Sequence, residues 1–243
     1  MLVLHIPHAS VVLPAEYRPL FTLPEASLRR ELLRMTDRYT DKLFRADCPR
    51  IVAPVSRLVC DMERFRSDAE EPMAERGMGV CYTRGSEGQP LKSVTDAHRA
   101  EILRRYYDPH HAALSRTVRE TLAAEGRCLL IDCHSFASSP LPYEPRQEPR
   151  RPDICLGTDP FHTPDALVRR FRDYFVSLGY TVDLNTPYEG VLVPMDCYHR
   201  EPRLSAVMIE VNRRLYMDEA TGDRLPSFPA LRRQLAELLW RMG

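Results

Sequence analysis

Imidazole and carboxylate side chains follow two short apolar runs of this chain. His8 comes two residues after Leu2–Ile6, and Asp132 and His134 follow the run Leu129–Ile131. Apolar runs this short, next to polar residues, are typical of the ends of buried strands. Acidic and imidazole groups at such a place are costly unless they are paired or bind a metal. We therefore predict that His8 and His134 are metal ligands at the ends of two strands.

Two histidines need a further ligand, because catalytic zinc is usually held by three nitrogen or oxygen ligands and a water. Asp37 and Asp41 are the candidates, since both lie at the boundary between the apolar and charged sides of a helix predicted over 25–46. Asp132 is expected to hold the second ring nitrogen of His134. No HExxH motif is present, and hydrogen-bonded structural histidines are the alternative interpretation.

A third strand carries the candidate catalytic base. Glu210 interrupts the apolar run Leu204–Val211, where burial would raise the pKa of its carboxyl group. A carboxyl group that titrates near neutral pH suits a general base or acid. A buried ion pair with an arginine is the alternative for Glu210. Arg57, Arg64 and Arg213 are candidates to clamp a substrate carboxylate with two parallel hydrogen bonds.

The elements that must position these residues alternate along the chain. Strands are predicted at 2–6, 51–55, 58–61, 80–83, 128–131, 154–156, 181–184 and 204–211. Helices are predicted at 25–46, 94–125, 164–178 and 227–242, with a break or kink at Asp108-Pro109. This alternation is typical of an α/β fold with a largely parallel sheet covered on both faces. No linker divides the chain, so we expect one domain over 1–243.

Composition argues against several kinds of partner. Lys plus Arg and Asp plus Glu both number 34, so the formal net charge is zero, which gives no support to binding of nucleic acid or an anionic membrane. No run approaches the roughly 20 apolar residues of a membrane span. The seven cysteines form no CxxC pair, and the first residues lack the basic flank of a signal peptide. A reducing, cytoplasmic location is therefore expected.

Seven segments together resemble the N-formylglutamate amidohydrolase family. They are IPHAS at 6–10, TDRYTDKLF at 36–44, SRLVCDMER at 56–64, LLIDCHSFAS at 129–138, PDICLGTD at 152–159, NTPYEGVLVP at 185–194 and IEVNRRLYMD at 209–218. No single segment is specific, but the set follows the family's order and covers nearly the whole chain. The resemblance implies a three-layer αβα sandwich with a mostly parallel mixed sheet, related to zinc carboxypeptidases.

The same resemblance implies a zinc amidohydrolase that uses metal-activated water to remove an N-acyl group, such as formyl, from an acidic amino acid. Glu210 maps onto the catalytic carboxylate. Three residues map onto positions that hold one divalent metal: His8, Asp37 and His134. Four map near the small-molecule substrate: Arg57, Arg64, Asn212 and Arg213. Asp41, the alternate carboxylate, and Asp132 are expected to support the ligands.

The chain departs from the family pattern in two motifs. Glu63-Arg64 stands where the family commonly has Asn-Arg, and the first motif reads PHAS where the family often has PHAG. Glu63 would add negative charge where an acidic substrate binds. Two other functions therefore stay open. One is a zinc peptidase or cell-wall amidase on the same fold, and the other is a non-catalytic binding protein that retains remnants of the site.

Overall fold

A six-stranded sheet forms the centre of the computed structural model, which describes all 243 residues. The strands are β1 (Leu2–Ile6), β2 (Arg50–Val52), β3 (Cys128–Phe136), β4 (Ile154–Gly157), β5 (Val182–Leu184) and β6 (Leu204–Asn212). Their order across the sheet is β2-β1-β3-β6-β4-β5. All neighbouring pairs are parallel except β4 and β6, which run antiparallel. The mostly parallel mixed sheet predicted from the sequence is confirmed.

Helices cover both faces of the sheet. They are α1 (Glu25–Met35), α2 (Thr40–Leu43), α3 (Asp96–Ile102), α4 (Asp108–Glu125), α5 (Asp165–Ser177) and α6 (Phe228–Met242). Leu2, Leu4 and Ile6 of β1 point to the layer of α2, α5 and α6, whereas Val3 points to α4 and contacts a cluster that includes Leu114. Successive residues of a strand point to opposite faces, so the sheet is buried on both sides. The three-layer αβα architecture is confirmed.

A third apolar cluster lies outside these layers and supports one wall of the functional site. It packs Leu28 of α1 against Leu58 and Tyr82 of the long irregular segment 53–91. The ammonium group of Lys92 donates hydrogen bonds to the carbonyl oxygens of Leu58 (2.7 Å) and Val59 (2.9 Å), which fixes this segment further. The strands predicted at 58–61 and 80–83 are absent, because this segment folds into turns.

The helix predicted over 25–46 was wrong in its second half. It ends at Met35, and α2 begins after Tyr39, which has a φ of 70°. The reason is a tertiary hydrogen bond, since the backbone N–H of Asp37 donates to the carbonyl oxygen of His8 at 3.0 Å. That bond draws the chain off the helix axis and places Asp37 beside the end of β1.

Two other elements differ from their predicted form. β3 runs through Asp132 and His134 to Phe136, because it pairs with β6 in unbroken register over its whole length. The helix predicted over 94–125 consists of α3 and α4 joined by a π-helical turn, Leu103–Tyr107. Pro109 lies in the first turn of α4, where its missing N–H needs no partner within that helix.

Candidate metal centre

The candidate site is built on the carboxyl ends of β1, β3 and β6, which are neighbours in the sheet. His134 of β3 pairs in register with Glu210 of β6, and His5 of β1 pairs with Asp132 of β3. Residues two apart on a strand share a face, so Asp132 and His134 both point to the α4 side. His8 lies just beyond the end of β1 on the same edge. Ligands of open α/β sheets bind at this edge.

His8 is held in a fixed orientation with one ring nitrogen free. Its Nε2 is 2.8 Å from Oδ1 of Asp61, a fully buried carboxylate. Only 2% of the residue is exposed, so water does not reach its Nδ1, and this nitrogen has no hydrogen-bond partner in the protein. An unpaired buried nitrogen is costly, so this atom points to a ligand that the protein alone does not supply.

Asp37 supplies the carboxylate that faces this nitrogen. Its Oδ2 lies 3.7 Å from Nδ1 of His8 and 3.1 Å from Nδ1 of His134. Its Oδ1 accepts a hydrogen bond from the Arg213 guanidinium at 2.9 Å. Burial opposes ionisation of Asp37, but His134, His8 and Arg213 together lower its pKa well below the usual range. Asp37 is therefore an anion, as a metal ligand must be.

His134 has the same arrangement as His8. Its Nδ1 faces Asp37, while its Nε2 lies 3.1 Å from Oδ1 of Asp132 and 3.0 Å from Oε1 of Glu63. The contact expected between Asp132 and His134 is therefore present. Burial would lower the pKa of His134, but the charges of Glu63 and Asp132 raise it well above its ordinary value.

The donor atoms of His8, Asp37 and His134 fit a divalent metal ion. They lie within 4.8 Å of one another. Ligand atoms bound tetrahedrally to one zinc ion are about 3.3 Å apart, given bonds of about 2.0 Å, and the distances of 3.1 and 3.7 Å to Asp37 bracket this value. A carboxylate behind each imidazole is also the usual support of metal-bound histidine. Asp37 rather than Asp41 is the carboxylate brought to the two histidines.

A second group of metal-binding residue types is satisfied internally. It comprises His5, Glu63 and Asp132. Nδ1 of His5 lies 2.8 Å from Asp132, and Nε2 of His5 lies 2.9 Å from Nε2 of His110 in α4. Because both ring nitrogens of His5 have partners, His5 and Asp132 form a hydrogen-bonded row behind His134 rather than a metal site.

Glu210 lies beside His134 and is the candidate base. The residue is 6% exposed, and its Oε2 has no hydrogen-bond partner. Burial raises its pKa to about 8, with further contributions from the charges of Asp37 and Glu63 against the opposing effect of His134. No arginine forms an ion pair with Glu210, so the alternative interpretation of a buried ion pair does not apply.

A pocket of about 820 Å³ opens over these side chains and includes His8, His134 and Glu210 in its lining. Its volume is in the range of small-molecule sites. The lining also includes residues of the loop after β3 and of the loop that precedes β6, among them Tyr143 and Leu192. The candidate metal ligands and base therefore share one accessible cavity.

Three of the four residues predicted to bind substrate line this pocket: Arg57, Arg64 and Arg213. Arg57 donates two hydrogen bonds to Asp61, and Arg213 is bound to Asp37. Arg64 is the least engaged, because it lies 3.7 Å from Asp61 and its Nε has no partner. Among these three arginines, Arg64 is thus the one most available to an anionic ligand.

Asn212 and Asp41 are not brought to the pocket. Asn212 is fully buried, and its side chain donates to the carbonyl oxygen of Pro152 and accepts from the N–H of Arg214. Asp41 pairs with Lys42 on the surface of α2. Neither contacts the candidate ligands, so the roles expected for them in substrate binding and ligand support have no counterpart in the structure.

Sequence reasoning missed several residues of the site, namely His5, Asp61 and His110, and it noted Glu63 only as a negative charge near the substrate. Asp61 ends the motif SRLVCD, and that position was the available signal. His110 is only 6% exposed and lies in contact with His5. Burial, followed by the charges of His5 and His111, lowers the pKa of His110 to about 2.

Comparisons with known proteins agree with this geometry. Residues 1–217 match the family described as N-formylglutamate amidohydrolase. The chain belongs to this family. The crystal structure of N-formylglutamate amidohydrolase from Ralstonia eutropha JMP134 is 26% identical with a TM-score of 0.84, over 99% of this chain and 92% of that one. Membership of this amidohydrolase family makes the chain a hydrolase.

The gene product Atu2144 of Agrobacterium tumefaciens has the same fold as the present chain. It is 23% identical with a TM-score of 0.66, over 99% of this chain and 89% of that one. A comparison with curated proteins finds no match. None of the helices has the length and apolar character needed to cross a membrane.

Proposed function

We propose that this chain is a zinc-dependent amidohydrolase that cleaves the acyl group from a small N-acyl amino acid, of the kind represented by N-formylglutamate. One observation carries the proposal. The buried, unpartnered Nδ1 of His8 faces the carboxylate of Asp37, with Nδ1 of His134 on the same carboxylate oxygen. Membership of the amidohydrolase family supports the reaction type.

His8, Asp37 and His134 are the residues that would hold the ion. A zinc ion there would polarise the amide carbonyl and lower the pKa of a water molecule. Asp61 and Asp132 fix the two imidazoles through their Nε2 atoms, which turns both Nδ1 atoms toward the same oxygen of Asp37. The protein therefore holds the donor atoms in place before any ligand arrives, at no cost in side-chain ordering during binding.

Glu210 is the proposed proton carrier. In its anionic form it accepts a proton from the attacking water, and a C–O bond forms at the amide carbon. When the C–N bond breaks, Glu210 returns that proton to the leaving amine, which releases a carboxylic acid such as formate and the free amino acid. A pKa of about 8 allows one carboxyl group to serve in both protonation states near neutral pH.

Arg64 is the proposed contact for the substrate carboxylate. It lines the pocket, and its guanidinium is only loosely engaged by Asp61. A guanidinium binds a carboxylate through two parallel hydrogen bonds. Glu63 beside it adds negative charge, so the preferred amino acid is best identified by assay of acidic, neutral and basic N-formyl amino acids together.

The Glu210→Gln variant tests the proposal. Purified wild-type and variant proteins are reconstituted with zinc, their metal content is measured, and release of amine from the N-formyl panel and from short peptides is followed. We expect the variant to bind one equivalent of zinc and to lose about 10²- to 10⁴-fold in kcat. Glu237→Gln, an exposed position on α6, serves as the control and should retain activity.

Three results would overturn the proposal. If Glu210→Gln hydrolysed the substrates at wild-type rates, Glu210 could not be the general base. Hydrolysis of peptides only would favour a peptidase on the same fold. Absence of stoichiometric zinc and of activity in the wild-type protein would favour a binding protein with a remnant site.

A further inference from the structure

Glu63, like Asp37, is an acidic residue of the pocket that approaches both candidate histidine ligands. Its Oε1 lies 3.0 Å from Nε2 of His134, and its Oε2 lies 3.7 Å from Nδ1 of His8. Its side chain is 19% exposed, in contrast to the near-complete burial of Asp37. Glu63 therefore reaches the ligand cluster from the solvent side of the pocket.

The contact with His8 involves the atom that has no other partner. Nδ1 of His8 lies equally far, 3.7 Å, from Oδ2 of Asp37 and from Oε2 of Glu63. The two carboxylates thus face one buried lone pair, and both distances are near the spacing of about 3.3 Å between ligand atoms of one zinc ion. Two anions this close to one nitrogen repel each other unless a cation lies between them.

The backbone shows why Glu63 can reach this position and leave it. Its N–H donates to Oδ1 of Asp61 at 3.0 Å, the same oxygen that contacts Nε2 of His8. Asp61 therefore fixes the main chain of Glu63 relative to His8. The Glu63 side chain itself accepts no hydrogen bond from an arginine or lysine, and its one side-chain contact of hydrogen-bond length is with Nε2 of His134 at 3.0 Å.

We propose that Glu63 is a fourth, displaceable protein ligand that closes the metal site in the resting enzyme. This inference rests on the proposed metal site of His8, Asp37 and His134. Structural zinc sites are closed by four protein ligands, whereas catalytic sites keep one position open. A partly exposed carboxylate in that position makes the resting site closed and the working site open. The carboxylate of Glu63 would then have to leave this position before water or a substrate oxygen could occupy it.

A different role for Glu63 would be to orient His134 by hydrogen bonding only. The two roles separate in the isosteric variant Glu63→Gln. Its amide oxygen still accepts a hydrogen bond from Nε2 of His134, so a purely orienting residue is largely replaced. If Glu63 is a zinc ligand, glutamine does not replace it, because a neutral amide is a weaker donor to zinc than a carboxylate.

Cobalt(II) substitution and zinc competition with a chromogenic chelator provide the test, on full-length wild-type, Glu63→Gln and Glu63→Ala proteins. Glu189→Gln is the matched control, because Glu189 is a pocket acid whose side chain is 72% exposed and paired with Arg146. We expect both Glu63 variants to bind zinc at least tenfold more weakly than the wild type, with shifted cobalt absorption bands. Added acetate should restore the wild-type bands in Glu63→Ala and leave the wild-type protein unchanged.

Zinc affinity within twofold of the wild type and an unaltered cobalt spectrum in Glu63→Gln would overturn the inference. So would an acetate response of equal size in the wild-type protein, since its fourth position would then be open. These results are distinct from failure of the proposed function, in which the wild-type protein itself would bind neither metal.

Discussion

The chemistry of the site depends on which nitrogen of each histidine is free. In both His8 and His134 a buried carboxylate contacts Nε2, from Asp61 in one case and Asp132 in the other. A carboxylate accepts a proton but cannot donate one when ionised, so each ring keeps its proton on Nε2. Nδ1 of each ring faces the Asp37 carboxylate on the same side of the pocket, at 3.7 Å from His8 and 3.1 Å from His134, and is the nitrogen that would bind a metal.

Asp37 and Asp41 can be separated by zinc binding. We expect Asp37→Asn to weaken zinc binding by about 10²-fold or more, because it removes a charged ligand at the buried centre of the cluster. Asp41→Asn should leave zinc affinity unchanged, since Asp41 pairs with Lys42 on the protein surface. Competition with a chromogenic chelator measures both affinities. Weaker zinc binding in Asp41→Asn alone would reverse the assignment.

Asp61 is expected to matter for metal binding without touching the metal. It accepts hydrogen bonds from His8, Arg57 and Tyr82. Asp61→Asn should lower zinc affinity by 10- to 100-fold, the usual effect of losing a carboxylate behind a metal-bound imidazole. Isothermal titration of zinc into the metal-free variant measures this change, and circular dichroism verifies that the variant is folded. Unchanged affinity would show that the His8 tautomer does not depend on Asp61.

The sequence located the chemistry of His8, Asp37, His134 and Glu210 through their positions near strand ends and in known motifs. The family resemblance placed Asn212 near the substrate, but the side chain of that residue turns back to cap the segment after β6. Which way a side chain turns at the end of a strand depends on tertiary hydrogen bonds, which no periodic pattern encodes.

At the scale of elements, the turn between α1 and α2 likewise depends on a tertiary hydrogen bond that the sequence pattern does not predict. Leu28, Leu32, Met35, Tyr39 and Leu43 keep helical spacing, which predicts one long helix. All five residues pack against apolar clusters in the structure, but the helix that carries the first three ends at Met35. Periodicity reports which residues are buried, whereas the bond from Asp37 to the His8 carbonyl decides the path of the backbone. The break is what brings a carboxylate to the site.

Helix α4 contacts the sheet through an uncharged histidine, and this gives a pH prediction. Burial lowers the pKa of His110 to about 2 in the folded protein, from about 6.5 in an unfolded chain. Its contribution to stability is therefore complete above pH 6.5 and is lost as pH falls below that value. The expected loss is about 1.4 kcal/mol per pH unit, or about 2 kcal/mol between pH 6.5 and 5.

The His110→Gln variant isolates this contribution. Urea unfolding of metal-free wild-type and variant proteins at pH 7 and pH 5 gives the free energy of unfolding in each case. We expect the wild-type protein to lose about 2 kcal/mol more than the variant over this range. Parallel losses in the two proteins would show that His110 is protonated in the folded state.

For the whole molecule, the candidate ligands connect parts of the chain that are far apart in sequence. His8 follows β1, Asp37 lies between two helices, and His134 lies on β3, 97 residues after Asp37. The Asp37 and Glu63 carboxylates both face the buried Nδ1 of His8. An ion bound by all three ligands would therefore fix the edge of the sheet to the turn after α1, and metal binding should stabilise the fold.

Thermal unfolding tests this coupling. Zinc that binds only the folded chain adds about 4 kcal/mol at a free concentration 1,000 times its Kd, which raises Tm by on the order of 10 °C for a chain of this size. Calorimetry with zinc and with a chelator should show that increase in the wild-type protein and in Asp41→Ala, but not in Asp37→Ala. An equal increase in Asp37→Ala would mean that zinc stabilises the protein from another site, because removal of Asp37 leaves only two of the three proposed ligands.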